Sequence, residues 1–409
     1  MVHRNIDVVV RLLDAGAEPI EMASDGANGE LRLQLLATRS GPQTLEIAAA
    51  YPMGAAGRYT VRVEDVRDGT PTDRQLVDAR RHHSAASRLR RTGSYDEALS
   101  HATQALALRE GALGPHALEV ARSLLLLGQL NHCVAKFGAA QELYHRALEI
   151  TGRLSGGHEL LTAEILDSQT GNHIALGRFR EAKPLVEEAL AIRKRILGPH
   201  HFLVAASLGT LADLHHAKAE VQAARITADR ALEIAARTYR PTDITLGDFV
   251  NRVARSQLAS GNYARAGQLY RESLEVREES AGQDSLAAAD SVGGLARVAL
   301  LANDNVEAEQ LHLQSLAIKE KILGPDHPQV ANDVFNLGLI HYRRRDYTNA
   351  LTLNLRALAI NEKTLGRSHP AIALTLNNIG LVYWRQLDYP RAEEFFRRAF
   401  ELSETTVRG

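Results

Sequence analysis

The sequence predicts a mainly α chain: a right-handed α-α superhelical solenoid of 42-residue repeats, preceded by a small, incomplete antiparallel β module. Three observations carry this. At intervals of 42 before Gly366 stand Gly324, Gly282, Arg240 as the one exception, Gly198, Gly156 and Gly114. Alanines fall at 98, 140, 182, 224, 266, 308, 350 and 392, and seven positions after each comes another small residue, from Ala105 through Ser273 and Ser315 to Ala399. Residues 1–70 lack that period and instead alternate apolar with polar side chains. Self-similarity at a fixed period means units that cannot bury an apolar face alone and must stack on their neighbours.

Taken in order, the chain begins with β-rich runs. Ile6–Leu13 (IDVVVRLL), the alternating Leu31, Leu33 and Leu35, then Leu45 and Ile47, then Tyr59, Val61 and Val63 read as four short strands. Turn formers such as DAGAEP, SDGANGE, RSGP and YPMGAAG separate them. Four strands are few for a sandwich, and the chain opens almost directly on one, so the module is expected to be incomplete. The run IDVVVRLL, the Gly57-Arg58-Tyr59 turn with TVRVEDV, and DGTPTDRQLVDA leading into a helix resemble the β module ahead of the repeats in bacterial proteins with a C-terminal CHAT protease-like domain. That resemblance implies a partial β-sandwich-like domain over residues 1–70.

From residue 72 the period is helical. Thr70, Pro71, Thr72 and Asp73 supply a turn and N-caps for a helix from about Arg74 to Arg91, which Gly93 stops, and a second helix starts at Tyr95. The pair then recurs, giving eight repeats over 72–404. Small residues seven apart share one helix face and admit a close neighbour. A third column, Tyr95, Phe137, Phe179, Val221, Tyr263, Asn305, Tyr347 and Tyr389, opens each second helix, mostly with an aromatic wedge. In the connector LAIKEKILGPDHPQVA, Gly324 ends a helix, Pro325 forbids its continuation and Asp326 is placed to cap the next.

The last copy, with Ile379-Gly380, Tyr383, Ala392 and Phe396, is similar to the tetratricopeptide signature. The phrase at Leu358–Pro370, with weaker versions at Leu190–His201 and Leu106–His116, resembles the kinesin light chain type of that repeat. The period of 42 also falls in the range of HEAT repeats, and the alanine, glycine and aromatic columns decide against them.

Composition narrows the functional classes. A formal net charge of −1 offers no global field for nucleic acid or an anionic membrane. The single cysteine, Cys133, excludes an internal disulfide and a cysteine-based zinc site within one chain. No run reaches the length of a membrane span and the opening residues are unlike a signal peptide, so the expected compartment is the cytoplasm.

No catalytic constellation emerges, and the chain is expected not to be an enzyme and to need no cofactor. His158-Glu159 begins an HExxH, but Thr162 stands where the second histidine belongs. The pairs His82-His83, His200-His201 and His215-His216 point about 100° apart on a helix, so no metal site is expected from them. Gly293 and Gly294 follow no strand and lie inside a helix, where a phosphate loop has no place.

The candidate site is the concave face of the first helices. Two residues before the glycine column of Gly128, Gly338 and Gly380 come Leu126, Ser168, Thr210, Arg252, Gly294, Asn336 and Asn378. One residue after it come Gln129, Gly171, Asp213, Arg255, Arg297, Leu339 and Leu381. Asn336 and Asn378 are suited to hold a peptide backbone, which is also what the kinesin light chain resemblance implies, while Arg252, Arg255 and Arg297 favour an acidic segment. Asp248 and Asp290 are placed to pair with some of these arginines. Four after the column, Tyr342 and Trp384 are aromatic anchors or packing residues.

The expected function is a non-catalytic scaffold that binds a peptide or helix of another protein. The alternative is a recognition segment of a larger bacterial protein with a CHAT protease-like effector downstream, and self-association through the ends of the array is a third. Two places break the pattern, repeat four at Val221 and Tyr239-Arg240-Pro241 and repeat six at Asn305, and suggest either drift or a soft joint.

Overall fold

A computed structural model describes residues 69–154, 156–239, 243–369 and 371–408, with side chains as far as Leu402, and the backbone of three short segments nearer the start. Among the described residues, sixteen helices follow one another in eight antiparallel pairs. They are α1 (Pro71–Thr92) with α2 (Tyr95–Leu113), α3 (Leu118–Cys133) with α4 (Phe137–Arg153), α5 (Glu159–Ala175) with α6 (Phe179–Leu197), and α7 (Phe202–Ala217) with α8 (Val221–Ala235). The second half continues with α9 (Ile244–Ala259) and α10 (Tyr263–Ala281), α11 (Leu286–Leu301) and α12 (Asn305–Leu323), α13 (Pro328–Arg343) and α14 (Tyr347–Leu365), then α15 (Ala371–Arg385) and α16 (Tyr389–Arg408). Each helix packs on the next, and successive first helices also touch, as α5 does α7. That is the contact pattern of a solenoid.

The expectation of a β module ahead of the solenoid is corrected. The described residues form a mainly α chain, and those described within 1–68 are β1 (Val8–Leu13), β2 (Ile20–Ala23) and β3 (Thr44–Ala49), in one antiparallel sheet of order β2-β1-β3. Two of the four expected runs, at Leu31–Leu35 and Tyr59–Val63, lie outside the described residues, and β2 was not anticipated. Alternation reports one face of a strand, whereas a sandwich requires a second sheet packed on that face. Among the described residues there is none.

The helix signals read more directly. Thr70 closes a capping box: its hydroxyl accepts from the Asp73 N–H at 3.2 Å and its own N–H donates to Asp73 Oδ2 at 2.8 Å. The helix therefore starts at Pro71, three residues before the expected Arg74. The alanine column is buried throughout, with Ala98, Ala140, Ala182, Ala266, Ala308 and Ala350 fully enclosed. Gly128, Gly338 and Gly380 meet the second helix of their own repeat so closely that an added Cβ would stand 2.5 Å from Tyr144, 2.7 Å from Asn354 and 2.6 Å from Phe396. Thr170 and Ala212 in this column stand sixteen positions before the smaller Val186 and Ala228, whereas Ala254 and Ala296 stand before Tyr270 and His312.

The turn inside each pair shows a column that was not read from sequence. Gly93, Ala135, Gly177, Ala219, Gly261, Asn303, Arg345 and Leu387 all have φ between 58° and 82°. Their alignment hides in the sequence because only three are glycine. For a Cβ-bearing residue this left-handed conformation is costly. Leu387, 70% exposed, gives up almost no packing, so Leu387→Gly is expected to raise stability by roughly 0.5–1 kcal/mol. Urea unfolding with an unchanged m-value would check this, and a decrease in stability would refute it.

Buried charge links neighbouring repeats. Arg109, Arg193 and Arg277 recur every 84 residues, and each Nη1 donates to the carbonyl ten residues on and to the serine hydroxyl fourteen on: Glu119 and Ser123, Leu203 and Ser207, Ala287 and Ser291. Lys319 stands in the same register and reaches Asp333. Of the break at repeat four, Arg240 and Pro241 lie outside the described residues. Tyr239 joins a core with Val204, Ala205, Ala231, Ile234 and Phe249, and its ring meets Phe202 edge-on at 6.2 Å.

Candidate concave binding face

The helices that position the face are α3, α5, α7, α9, α11, α13 and α15. Their glycine-column residues turn toward the second helices; the position two before lies about 160° round the helix from that column and the position one after about 100°, whereas the position four after lies only about 40° from it, and there Tyr342 meets Tyr347 of α14 with ring centroids 6.0 Å apart. In the first half this face is small and partly self-satisfied. Leu126 is buried, Gln129 Nε2 donates across the repeat to Ser168 Oγ at 3.2 Å, and the Thr210 hydroxyl donates back to the Ala206 carbonyl at 3.3 Å.

The middle carries the charge. Arg252 Nε donates to Asp213 Oδ2 at 3.1 Å and Arg255 Nη2 to Asp213 Oδ1, so one carboxylate on α7 is shared by two arginines of α9. Arg252 also lies 5.5 Å from the Phe249 ring centroid. Burial pushes the Asp213 carboxyl up, but the two guanidinium groups outweigh it and hold the group below the ordinary carboxylate value. The aspartates expected to neutralise the basic set face elsewhere: Asp248 pairs with Arg277 at 2.7 Å and Asp290 with Lys319 at 3.5 Å. Arg297 on α11 is exposed and has no ion-pair partner among the described residues.

His216, one turn after Asp213, is pushed down to about 4 by burial first and then by Arg255 and Arg297, with Asp213 opposing. It is therefore neutral at neutral pH, and the surroundings that keep it so are net positive. Gly294, between the arginines and the asparagines, is closed off, since an added Cβ would meet the Tyr270 ring at 2.3 Å.

The last third is amide and aromatic. Asn336 is half-buried and donates one amide hydrogen to the Asn332 carbonyl at 2.8 Å, and Asn378 is half-buried one repeat on. Tyr342 Oη accepts from Arg385 Nε at 3.2 Å, and the same guanidinium lies 4.9 Å from the Trp384 ring centroid. Trp384 remains 46% exposed. Arg385 thus ties the two aromatics of neighbouring repeats together. Asp213 as a shared counter-charge, His216 and Arg385 had not been singled out for these roles; for Arg385 the available signal was a cation directly after the tryptophan.

The histidine pairs separate as their 100° spacing requires. His82 Nδ1 meets His101 Nδ1 at 2.7 Å, while His83 meets Arg109 at 3.2 Å; His215 pairs with Glu220 at 2.5 Å, while His216 belongs to the basic cluster. No group of three or more metal-ligating side chains occurs among the described residues. No helix among them is long and apolar enough to cross a membrane.

The fold is that of an α-helical repeat solenoid. The chain belongs to the tetratricopeptide repeat family, whose model matches residues 81–153, 171–237, 249–321 and 331–405. Each match spans about two helix pairs. No curated protein sequence matches the chain.

Among solved structures it is similar to a Rap conjugation gene regulator of plasmid pLS20 in complex with the Phr* peptide, at 14% identity and a TM-score of 0.58 over 82% of this chain and 96% of that one. It is similar to a Rap protein complexed with competence and sporulation factor, at 12% identity and 0.57 over 83% and 99%. A kinesin light chain-type repeat protein of Podosopora anserina matches 51% of this chain and 99% of its own, at 22% identity and a TM-score of 0.39.

Proposed function

We propose that this protein is a non-catalytic scaffold that binds a segment of another polypeptide, a peptide or a helix, along the concave face of its repeats. One observation carries the reading: Arg297, Asn336, Tyr342, Asn378 and Trp384 stand exposed or half-buried on three successive first helices. Side-chain amides are placed to pair with backbone N–H and C=O groups, and aromatics with one open face serve as anchors. The Rap structures that share the fold hold a peptide and a competence and sporulation factor, which supports the same mode here.

The occupant is acidic where it meets repeats five and six. Arg252 and Arg255 share a single carboxylate, and Arg297 has none. A carboxylate docked there gains a charge-assisted hydrogen bond. Its negative charge also raises the depressed His216, so binding is accompanied by proton uptake as pH falls toward the free value of about 4.

Panning a displayed random-peptide library on the purified chain tests the reading. Acidic peptides are expected to be enriched, and Arg297→Glu with Asn336→Ala and Asn378→Ala is expected to weaken them roughly 10- to 100-fold. Unchanged affinity in the triple variant, at unchanged thermal stability, would remove the groove from the account.

A further inference from the structure

Three contacts join parts of the chain that no neighbour-to-neighbour stacking brings together. Nε2 of His327, the N-cap of α13, lies 3.0 Å from the Cys133 carbonyl at the end of α3. Nε2 of His369, just before α15, lies 2.9 Å from the Ala175 carbonyl at the end of α5. At Gly93, which ends α1, an added Cβ would stand 2.8 Å from Ile322 Cγ2 on α12. Counted in helix pairs, these contacts link one to six, two to seven and three to eight. The two histidine contacts each span 194 residues and are related by one repeat of 42.

The chemistry of each histidine is set by its other nitrogen. Nδ1 of His327 accepts from the Gln329 N–H, and Nδ1 of His369 from the Ala371 N–H, both at 3.2 Å. An Nδ1 that accepts leaves the proton on Nε2, which must therefore donate. Its target in each case is a carbonyl in the last turn of a helix, one of the groups that the helix itself leaves without a partner. Burial lowers both imidazoles below the ordinary 6.5, against the pull of the carbonyl each one meets, which keeps this neutral tautomer. Capping alone explains the Nδ1 bond. The Nε2 bond adds a link across turns.

We propose that His327 and His369 latch successive turns of the superhelix, holding helix pairs one to three against pairs six to eight as a closed coil that opens only when both histidines release. The joined edges are the carbonyl ends of early first helices and the amino ends of late ones, so the turns stack along the superhelix axis. Burial extends the contact beyond the two bonds. Tyr95, at the start of α2, is raised by burial first and by Cys133, and Asp290 on α11 contributes from across the turn. The latch concerns the free chain and stands or falls independently of what the groove binds.

Small-angle X-ray scattering on the full chain tests it with His327→Asn and His369→Asn together. Asparagine is a preferred N-cap and keeps the helix starts, but it is too short to reach the carbonyl of the other turn. The expected result is unchanged helicity by circular dichroism with a larger radius of gyration and maximum dimension than wild type. The same scattering curve as wild type at unchanged helicity would overturn the latch. If the double variant loses helicity, the wild-type curve decides: a fit to the closed coil supports the proposal, and a fit only to an array with its ends apart overturns it.

Discussion

Asp333→Ala is expected to destabilise the protein by about 3–5 kcal/mol, because it leaves a buried ammonium without its principal counter-charge. Asp333 is 2% exposed. Its Oδ1 accepts from His312 Nδ1 at 2.8 Å, and its Oδ2 from Ser315 Oγ and Lys319 Nζ, both at 2.9 Å. Burial pushes this carboxyl up, yet the hydrogen bond from His312 and the charge of Lys319 outweigh it and hold it below the ordinary 3.8. Lys319 is raised in turn: burial lowers it, and Asp290 and Asp333 more than compensate. Without Asp333, the ammonium retains only Asp290, at 3.5 Å on a 43% exposed side chain.

The pH dependence has a definite sign. A carboxyl with a depressed folded pKa contributes stability that is complete above its unfolded value and is lost as pH falls through the folded one. The gap between wild type and Asp333→Ala should therefore be full at neutral pH and narrow below the ordinary 3.8. Adding Lys319→Met should recover most of the loss, since an ion pair replaced whole by apolar groups costs little. Urea unfolding of the single and double variants checks both statements, and a double variant no better than the single would exclude the uncompensated charge as the cause.

Arg193→Met is expected to cost a similar amount, about 3–5 kcal/mol, by a different route. Arg193 is 3% exposed and reaches Asp167, the Leu203 carbonyl at 2.9 Å and Ser207 Oγ at 2.8 Å through one nitrogen. Removing it leaves Asp167, already pushed up by burial, with only the Ser207 hydroxyl at 2.8 Å, and strands a carbonyl at the start of α7. Three helices of two successive repeats meet at this side chain, because α6 supplies the arginine, α5 the acid and α7 the acceptors. Changing Asp167→Leu as well should restore part of the stability. Equal thermal midpoints for wild type and Arg193→Met would refute the clasp.

These two sites also mark how far the chain could be read. The arginine and serine columns recur at fixed spacing in the sequence, but nothing in that spacing says that they are buried or that they touch. The candidate face rests on a register expectation, since the position two before a buried glycine lies about 160° round the helix from it and the position one after about 100°. Its electrostatics were not legible in the sequence. Asp213 was counted as one more lining residue, whereas both Arg252 and Arg255 converge on it from the next repeat, and Asp248, the expected partner, turns to Arg277. At the front of the chain, alternation over a few residues implies a module, and the described residues form one small sheet.

By itself the sequence determined the mainly helical class, the period of 42, the small columns that admit close helix contact and the connectors that end each pair. Such features repeat because every copy makes the same contact with its neighbour, and repetition is what a single sequence displays. Only the tertiary structure decided that one carboxylate serves two arginines, that Arg385 joins Tyr342 to Trp384, and that His327 and His369 reach back five repeats to Cys133 and Ala175. Those contacts depend on the summed rotation and rise of many units. A small angle per repeat, too slight to leave a mark in any one copy, accumulates until distant turns meet.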